Sequence, residues 1–379
     1  MTSPSPVKGW CPGAYKPMMS GDGLIVRVRP IMAHLEAAQI IGLCEVACRF
    51  GNGTIDLTSR ANLQIRGILP ENHDALLQEL ARLGLLDVDP TIEAKRNILV
   101  TPHWTSGDLT DRLGRALLAI LPALPNLPAK TGFAIDTGPS AQLQNCSADF
   151  RFELTQDGQL ILRADGADTG RSISEQNALD ALQELIQWYL DTDGPSSGRM
   201  KRHLAVRDLP DQWIRTNPRD QSGAFDIGVN ATGWILGAPF GQIDAKSLAT
   251  LLQDSQATAI RVSPHRRITL LQAKTFPDCD FVTTHDDPVL NAHACPGAPA
   301  CPHASVKTRT TAMGLIRSLP TGTSLHVSGC EKGCAFPHGA DFTLVGRNGA
   351  FDLVRNGAPW DEPAYRGLSR TKLNEITQL

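Results

Sequence analysis

In Cys295-Pro296-Gly297-Ala298-Pro299-Ala300-Cys301-Pro302 and in Gly329-Cys330-Glu331-Lys332-Gly333-Cys334, the chain carries two close pairs of cysteines. Thiolates are soft ligands, and four of them meeting at one point bind zinc or an iron–sulfur cluster. Zinc ribbons usually leave two residues between paired cysteines, whereas the gaps here are five and three residues. The spacing therefore favours a 4Fe–4S cluster held by Cys295, Cys301, Cys330 and Cys334, over zinc and over unligated structural thiols.

The other five of the nine cysteines are given no ligand role. Cys44 and Cys48 lie one turn apart on a predicted helix, where core packing is expected, and Cys11, Cys146 and Cys279 are assigned no role. An odd count fits a complete set of disulfides poorly, and residues 1–9 have no apolar core of a secretory signal. We therefore expect a reducing, cytoplasmic location.

Composition limits the partners. The chain has 379 residues, enough for two or three domains, with 36 basic and 39 acidic residues and a net charge of −3. This balance gives no uniform field for nucleic acid or an anionic membrane, and no apolar run reaches the roughly 18 residues of a membrane-spanning helix. We therefore expect neither nucleic acid nor a membrane as a partner. A local basic pocket is compatible with this balance of charges.

A strand–helix–strand unit occurs twice, about 200 residues apart. The first copy has a strand at 24–28, a helix at 33–49, an alternating strand at 58–66 and a helix at 73–83. The second has a strand at 233–237, a helix at 245–253 and a paired strand at 259–271 that breaks at Ser263-Pro264. The later strand carries a basic residue in each copy, Arg60 in the first and Arg266 or Arg267 in the second. We expect an α+β fold in which half-units 17–85 and 222–275 form one pseudo-symmetric domain.

Two further regions flank the repeats. Residues 97–101, 133–136 and 160–164 are predicted strands and 175–190 a helix, while the C-terminal part is predicted as short strands at 342–345 and 351–354 with a helix after Pro363. The domain boundaries that we predict are 1–88, 89–215, 216–284 and 285–379. A ligand site is expected where these regions meet, and the connector 194–202, with Arg199, Lys201 and Arg202, either adds cations to it or is a solvated linker.

The alternating strand is the second chemical signal. Thr58, Arg60, Asn62, Gln64 and Arg66 share one face, which is either a solvated face or a surface that binds several carboxylates. Further basic residues follow in strand-like contexts: Arg27, Arg29, Arg96 and Lys130. His293, His303, His326 and His338 flank the cysteine pairs, where neutral structural roles are favoured. No nucleotide-binding glycine motif is present.

Taken together, these motifs resemble the sulfite and nitrite reductase haemoprotein family, over most of the chain from about residue 23. The resemblance implies a three-domain architecture with duplicated ferredoxin-like half-domains. It also implies that the four cysteines hold a 4Fe–4S cluster and that Cys334 bridges to sirohaem iron. By the same resemblance, Thr58, Arg60 and Gln64 bind tetrapyrrole carboxylates, with Asn62 and Arg66 as weaker candidates. Arg27, Arg96 and Lys130 are expected at the reacting face of the macrocycle.

One departure from the family pattern is informative. The reductases carry a second lysine two positions after the first, but Gly132 stands there in Lys130-Thr131-Gly132-Phe133. Losing a cation that grips a small oxyanion argues against six-electron reduction. With the Trp10-Cys11-Pro12-Gly13 start and the short chain, it resembles a branch of the family that uses a sirohaem-like macrocycle, precorrin-3A, as substrate.

That resemblance implies O2-dependent hydroxylation of precorrin-3A at C20, with lactone formation, in aerobic cobalamin synthesis. Electrons would come ultimately from NADH through a separate reductase, and a mononuclear non-haem iron is implied whose ligands cannot be assigned. Two alternatives stay open: a sirohaem-dependent sulfite or nitrite reductase, and a non-catalytic tetrapyrrole carrier or metal-stabilised binding module.

Overall fold

The computed structural model of the chain describes residues 12–222 and 227–375. Its first part contains β1 (Met18–Ser20), β2 (Gly23–Val28), β3 (His34–Glu36), α1 (Ala37–Phe50), β4 (Thr54–Leu57), β5 (Leu63–Ile68), α2 (His73–Arg82) and α3 (Pro90–Lys95). The central part contains β6 (Ile98–Val100), α4 (Leu109–Ile120), β7 (Phe133–Asp136), β8 (Phe150–Leu154), β9 (Leu160–Ala164), β10 (Arg171–Ser172), α5 (Ala178–Asp191), α6 (Gly194–Ser197) and α7 (Met200–His203).

The second half of the chain continues in the same mixed style. The repeat contains β11 (Gly228–Val229), β12 (Trp234–Gly237), β13 (Gln242–Asp244), α8 (Ala245–Ser255), β14 (Ala259–Ser263) and β15 (Arg267–Leu271). The C-terminal part contains β16 (Ala292–Ala294), α9 (Arg309–Ile316), β17 (Leu325–Ser328), β18 (Ala340–Arg347), β19 (Ala350–Gly357) and β20 (Tyr365–Leu368). Among the described residues, no helix has the length and apolarity that crossing a lipid bilayer requires.

The two repeats exchange a strand. The sheet of the first repeat has the order β1-β2-β5-β4-β13, and that of the second has the order β11-β12-β15-β14-β3. In each repeat, a 3₁₀ turn with a left-handed residue, Met32 (φ 53°) or Phe240 (φ 55°), precedes the strand that pairs with the sheet of the other repeat. Helices α1 and α8 pack together. The predicted α+β fold with duplicated half-domains is therefore confirmed, and the exchange makes the two repeats one unit.

Helix α1 shows how the sequence produces the packing. Glu36 and Gln39 form a capping box at its start, and the apolar face predicted from the sequence, with Ile40, Leu43 and Ala47, is fully buried. Cys44 on the same face is buried, as expected. Cys48 was expected in the core and is exposed, because it lies beside Arg49 on the solvent side of the last turn.

The predicted strand 58–66 is wrong in its first half. Residues 58–62 form a turn between β4 and β5, so the side chains of Thr58, Arg60 and Asn62 do not share a strand face. The Thr58 hydroxyl accepts hydrogen bonds from the backbone N–H groups of Arg60 (3.3 Å) and Asn62 (3.1 Å), and Ala61 takes a left-handed conformation at φ 51°. A threonine hydroxyl that accepts hydrogen bonds from nearby backbone N–H groups gives the backbone an alternative to pairing in a β-sheet.

The C-terminal prediction also needs correction. The chain after Pro363 forms β20, which pairs with β19, and then a 3₁₀ turn at Lys372–Glu375, instead of the predicted helix. In the central sheet, of order β10-β9-β8-β7-β6, the predicted strands at 133–136 and 160–164 are present, while β8 was missed. Strand β8 carries Arg151 and Glu153, whose buried charges hide its apolar pattern until their partners Asp165 and Arg163 are known.

Candidate functional site

A cavity of about 740 Å³ lies where the two repeats meet the cysteine-bearing part. Four of the predicted site residues line it: Arg27 on β2, predicted at the reacting face, and the predicted tetrapyrrole-binding residues Thr58 on the turn and Gln64 and Arg66 on β5. The second repeat contributes its own turn, with His265, Arg266 and Arg267, and the C-terminal part contributes Cys295 and Cys334. The structure thus brings the two chemical signals of the sequence into one cavity.

The charge of this cavity is strongly positive. Its lining contains five arginines and a single carboxylate: Arg27, Arg66, Arg266, Arg267, Arg309 and Asp56. The Asp56 carboxylate already pairs with Arg66 (3.3 Å) and Arg309 (2.9 Å). Burial, with Arg267 and Arg309 nearby, lowers the pKa of Arg266 to about 10, which leaves it charged at neutral pH. Guanidinium groups bind carboxylates in a bidentate manner, so the cavity suits a large polycarboxylate.

The four motif cysteines face one another closely enough to interact electrostatically. Burial raises the pKa of Cys330, and the Cys301 and Cys295 thiols raise it further. Burial and the three other motif thiols likewise raise the pKa of Cys334. The Gly329 N–H donates to Cys295 Sγ at 3.2 Å. A Cβ at Gly329 would lie 3.4 Å from that sulfur and 2.6 Å from the Ala304 Cβ, so a side chain is excluded beside the thiols.

This donor set fits a 4Fe–4S cluster. Each thiolate of such a cluster binds a different iron, and backbone N–H groups directed at sulfur stabilise its negative charge. Within residues 12–222 and 227–375, no group of three His, Cys, Asp or Glu side chains could hold a single metal ion. The mononuclear non-haem iron that the resemblance implied therefore has no set of ligands among the described residues.

Two predicted cations lie away from the main cavity. Arg96 is buried with its Nη2 2.6 Å from Glu93 Oε2, and Arg29 donates to the other oxygen of the same carboxylate at 2.8 Å. Lys130 is half-buried in a turn before β7. Sequence reasoning missed Glu93. One of its arginine partners is distant in sequence and the other is nearby, so no local pattern identifies this carboxylate as their shared partner.

Arg60 lines neither the main cavity nor a second cavity of about 630 Å³, but it contacts Ser147, which lines the second one. Its Nη2 donates to Ser147 Oγ at 3.1 Å, and Arg199 donates to the same oxygen at 2.9 Å. Arg199, Lys201 and Arg202 of the connector line this second cavity and not the main one, so their cations lie outside the cavity where the two repeats meet the cysteine-bearing part. Asn62 is buried in the turn and lines neither cavity.

Gly132 lies next to this region. Its N–H donates to Asp149 Oδ2 at 2.9 Å, and a Cβ built on it would find the Asn97 and Ser147 carbonyl oxygens at 3.5 Å. That is ordinary van der Waals contact, and the backbone is not left-handed. The absence of a second lysine is therefore not forced by lack of space.

Burial favours the neutral form of three histidines at or near the site. His293 lines the main cavity and stacks on Phe336 with ring centroids 4.0 Å apart, and burial lowers its pKa to about 3. Burial lowers the pKa of His326 to about 4. His265 lies with its Nε2 3.8 Å from Cys146 Sγ, and burial lowers its pKa as well. Residues 1–11 are outside the described residues, so the Trp10-Cys11 start and Cys11 are not placed.

Comparison with known proteins agrees with this fold. Residues 16–83 match the model of the nitrite/sulfite reductase ferredoxin-like half domain. The chain is 29% identical to precorrin-3B synthase of Sinorhizobium sp., over 93% of this chain and 83% of that protein. It is 23% identical to the ferredoxin–nitrite reductase of Synechococcus elongatus, over 89% of this chain and 78% of the relative. The NirA protein of Mycobacterium tuberculosis superimposes with a TM-score of 0.62 at 17% identity, covering 93% of this chain and 79% of NirA.

Proposed function

We propose that this chain, a relative of precorrin-3B synthase and of the sulfite and nitrite reductases, is an oxidoreductase that hydroxylates precorrin-3A at C20 with O2 and forms a lactone. The observation that carries the proposal is the common cavity in which Arg27, Thr58 and Gln64 face Cys334. A cavity of this size, with five arginines, suits a large polycarboxylate macrocycle held directly beside a cluster.

The roles of individual residues follow from their surroundings. Cys295, Cys301, Cys330 and Cys334 would hold the 4Fe–4S cluster, which supplies electrons one at a time. Arg27, Arg266 and Arg267 would bind carboxylates of the substrate, and Thr58 and Gln64 would orient it. Asn62 holds the turn that carries Thr58. Arg60 with Arg199, and Arg96 with Lys130, would bind groups at the periphery of the macrocycle.

The residues of the site also limit which group can supply protons. A hydroxylation consumes two electrons and two protons as one oxygen atom enters the macrocycle and the other leaves as water. The arginines cannot release a proton, and the lowered pKa values of His265 and His293 leave both imidazoles neutral. Among the predicted residues, that leaves Lys130 as the proposed acid, acting from the periphery of the macrocycle. Electrons are expected from NADH through a separate reductase.

The test is conversion of precorrin-3A by the reconstituted protein under O2 with a reductant. One atom from ¹⁸O2 should appear in the product by mass spectrometry, and a parallel count of iron and sulfide should give four of each per chain. Lack of conversion by a protein that contains the full cluster would refute the proposal.

A second function is favoured by the nitrite reductase relatives: sirohaem-dependent reduction of nitrite or sulfite. The absorption spectrum of the protein as isolated separates the two, since sirohaem gives intense Soret and red bands and a cluster alone gives broad brown absorption. Gly132 weighs against this second function, because the position that carries a lysine in the reductases has no side chain here.

A further inference from the structure

The loop between Cys295 and Cys301 is tied to the first repeat through a single carbonyl. The Ala300 carbonyl accepts hydrogen bonds from Ser20 Oγ (2.6 Å), from the Gly21 N–H (3.1 Å) and from Arg66 Nη2 (3.2 Å). All three donors come from β1, the β1–β2 turn and β5 of the first repeat. A carbonyl has two lone pairs, so three donors on it mark a closely held position.

The Arg66 guanidinium has protein acceptors on all three nitrogens. Its Nε and Nη2 make a bidentate pair with Asp22 at 3.0 and 2.9 Å, and its Nη1 lies 3.3 Å from Asp56 Oδ2. Its side chain is 4% exposed. Two carboxylates therefore balance its charge, although its side chain borders the main cavity. The sequence-based assignment of Arg66 to substrate carboxylates does not agree with these contacts.

The same group reaches the cluster part by a second route. Asp56 Oδ1 pairs with Arg309, the first residue of α9, at 2.9 Å. The charges of Asp22, Arg66, Asp56 and Arg309 thus form one partly buried ion-pair network that joins the first repeat to the residue before Cys301 and to the start of α9. Ion pairs with buried members can favour one arrangement of the parts that they connect.

We propose that Arg66 is a positioning residue for the iron–sulfur cluster rather than a ligand of the tetrapyrrole. It holds the Cys295–Cys301 loop against β5, the strand whose Gln64 lines the macrocycle cavity, and so sets the cluster relative to the substrate. This inference rests on the proposed function in one respect, that the four cysteines hold a cluster.

The consequence for the cluster is electrostatic as well as mechanical. Replacing Arg66 with Met leaves Asp22 and Asp56 without this cation close to the cluster loop, and negative charge disfavours adding an electron. We expect the equilibrium constant for cluster reduction to fall about tenfold in Arg66→Met, which corresponds to 59 mV for one electron. Arg66→Lys keeps the charge and should restore the potential to within about threefold in that constant.

The experiment uses the full chain after anaerobic cluster reconstitution. Redox titration followed by electron paramagnetic resonance measures the potential, a ferrous chelator measures the rate of iron loss, and uroporphyrin III, a polycarboxylate tetrapyrrole, measures ligand binding. Arg66→Met should lose iron at least tenfold faster and bind uroporphyrin III within twofold of wild type. Arg27→Met should show the reverse pattern, with weaker uroporphyrin III binding and unchanged iron loss.

Two further variants keep the test decisive if Arg66→Met does not fold. Ser20→Ala removes one donor from the Ala300 carbonyl without changing any charge, and should speed iron loss about threefold at an unchanged potential. Arg82→Met, at an exposed arginine that pairs with Glu79, should match wild type in all three measurements. Weakened uroporphyrin III binding in Arg66→Lys, with wild-type iron loss and potential, would overturn the inference. A wild-type protein that takes up no cluster would overturn the proposed function itself, and this inference with it.

Discussion

Glu93 offers the sharpest stability prediction, because one buried carboxylate serves two buried arginines. Its side chain is 3% exposed, its Oε1 lies 2.8 Å from Arg29 Nη1, and its Oε2 lies 2.6 Å from Arg96 Nη2. The Asp87 N–H also donates to Oε2, at 3.3 Å. Glu93→Gln keeps the size of the side chain and removes the charge, so the amide NH2 must face a guanidinium.

The magnitude follows from what remains after the change. Arginine stays charged in proteins, so neither partner can escape by losing a proton, and breaking a buried pair from one side costs about 3–5 kcal/mol. With an m-value of about 3 kcal/mol/M in urea, the unfolding midpoint should fall by about 1–1.7 M. That is a large part of the roughly 5–15 kcal/mol by which a typical fold is stable.

The assay is urea unfolding followed by circular dichroism, with Glu79→Gln as the matched control. Glu79 also forms ion pairs with two arginines, Arg82 and Arg49. These pairs lie on the surface, where solvent screens them, so the Glu79→Gln variant should keep the wild-type midpoint. A double variant, Glu93→Gln with Arg96→Met, should recover part of the loss. Equal midpoints for Glu93→Gln and Glu79→Gln would refute the assignment of Glu93 as the shared counterion.

Three further predictions concern pH, the cluster and Gly132. Burial raises the pKa of Asp136 to about 6, so the folded protein holds a proton that the unfolded chain releases near pH 4. Wild type should therefore lose up to about 3 kcal/mol relative to Asp136→Asn as the pH rises from 4 to 6, in urea unfolding at several pH values, and parallel curves would contradict this. Cys334→Ser should lose cluster iron and turnover in an iron assay, whereas Cys146→Ser, at a buried thiol whose pKa is raised to about 11, should keep both. Gly132→Lys should fold with an unchanged melting temperature, since a Cβ there finds its nearest atoms at 3.5 Å, and a drop of several degrees would contradict that reading.

The repeated architecture was predictable because local sequence patterns specify its helices and strands. Helical periodicity placed α1 and α8 and short apolar runs placed β2 and β12, so the duplicated order is visible without structure. The exchange of β3 and β13 between the sheets was not predictable in this way. Each is a strand of three residues, and what specifies its partner is contact with the other repeat, as in the pairing of Leu35 with Ile260.

The site was predictable in its residue types and less so in its geometry. Spacing alone selected Cys295 and Cys334, and the alternating segment selected Thr58 and Gln64, all of which line one cavity. The same alternation led to a strand at residues 58–62, because a turn closed by the Thr58 hydroxyl has the same sequence signature as a polar strand face. Arg266 and Arg267 were recognisable only as the counterparts of Arg60 in the second repeat.

What sequence could not assign is which arginines are neutralised. Arg66 and Arg96 looked equivalent to Arg27 as cations for a polycarboxylate, but Asp22, Asp56 and Glu93 balance them within the protein. Asp22 is 44 positions from Arg66, and Ala300, which Arg66 also contacts, is 234 positions away, so neither contact leaves a local pattern. Arg266, in contrast, donates to the backbone carbonyls of Ala292 and Leu290 and keeps its charge facing the cavity. The balanced overall charge of −3 thus conceals a cavity whose positive charge is set by where the carboxylates lie, and that distribution is a property of the fold.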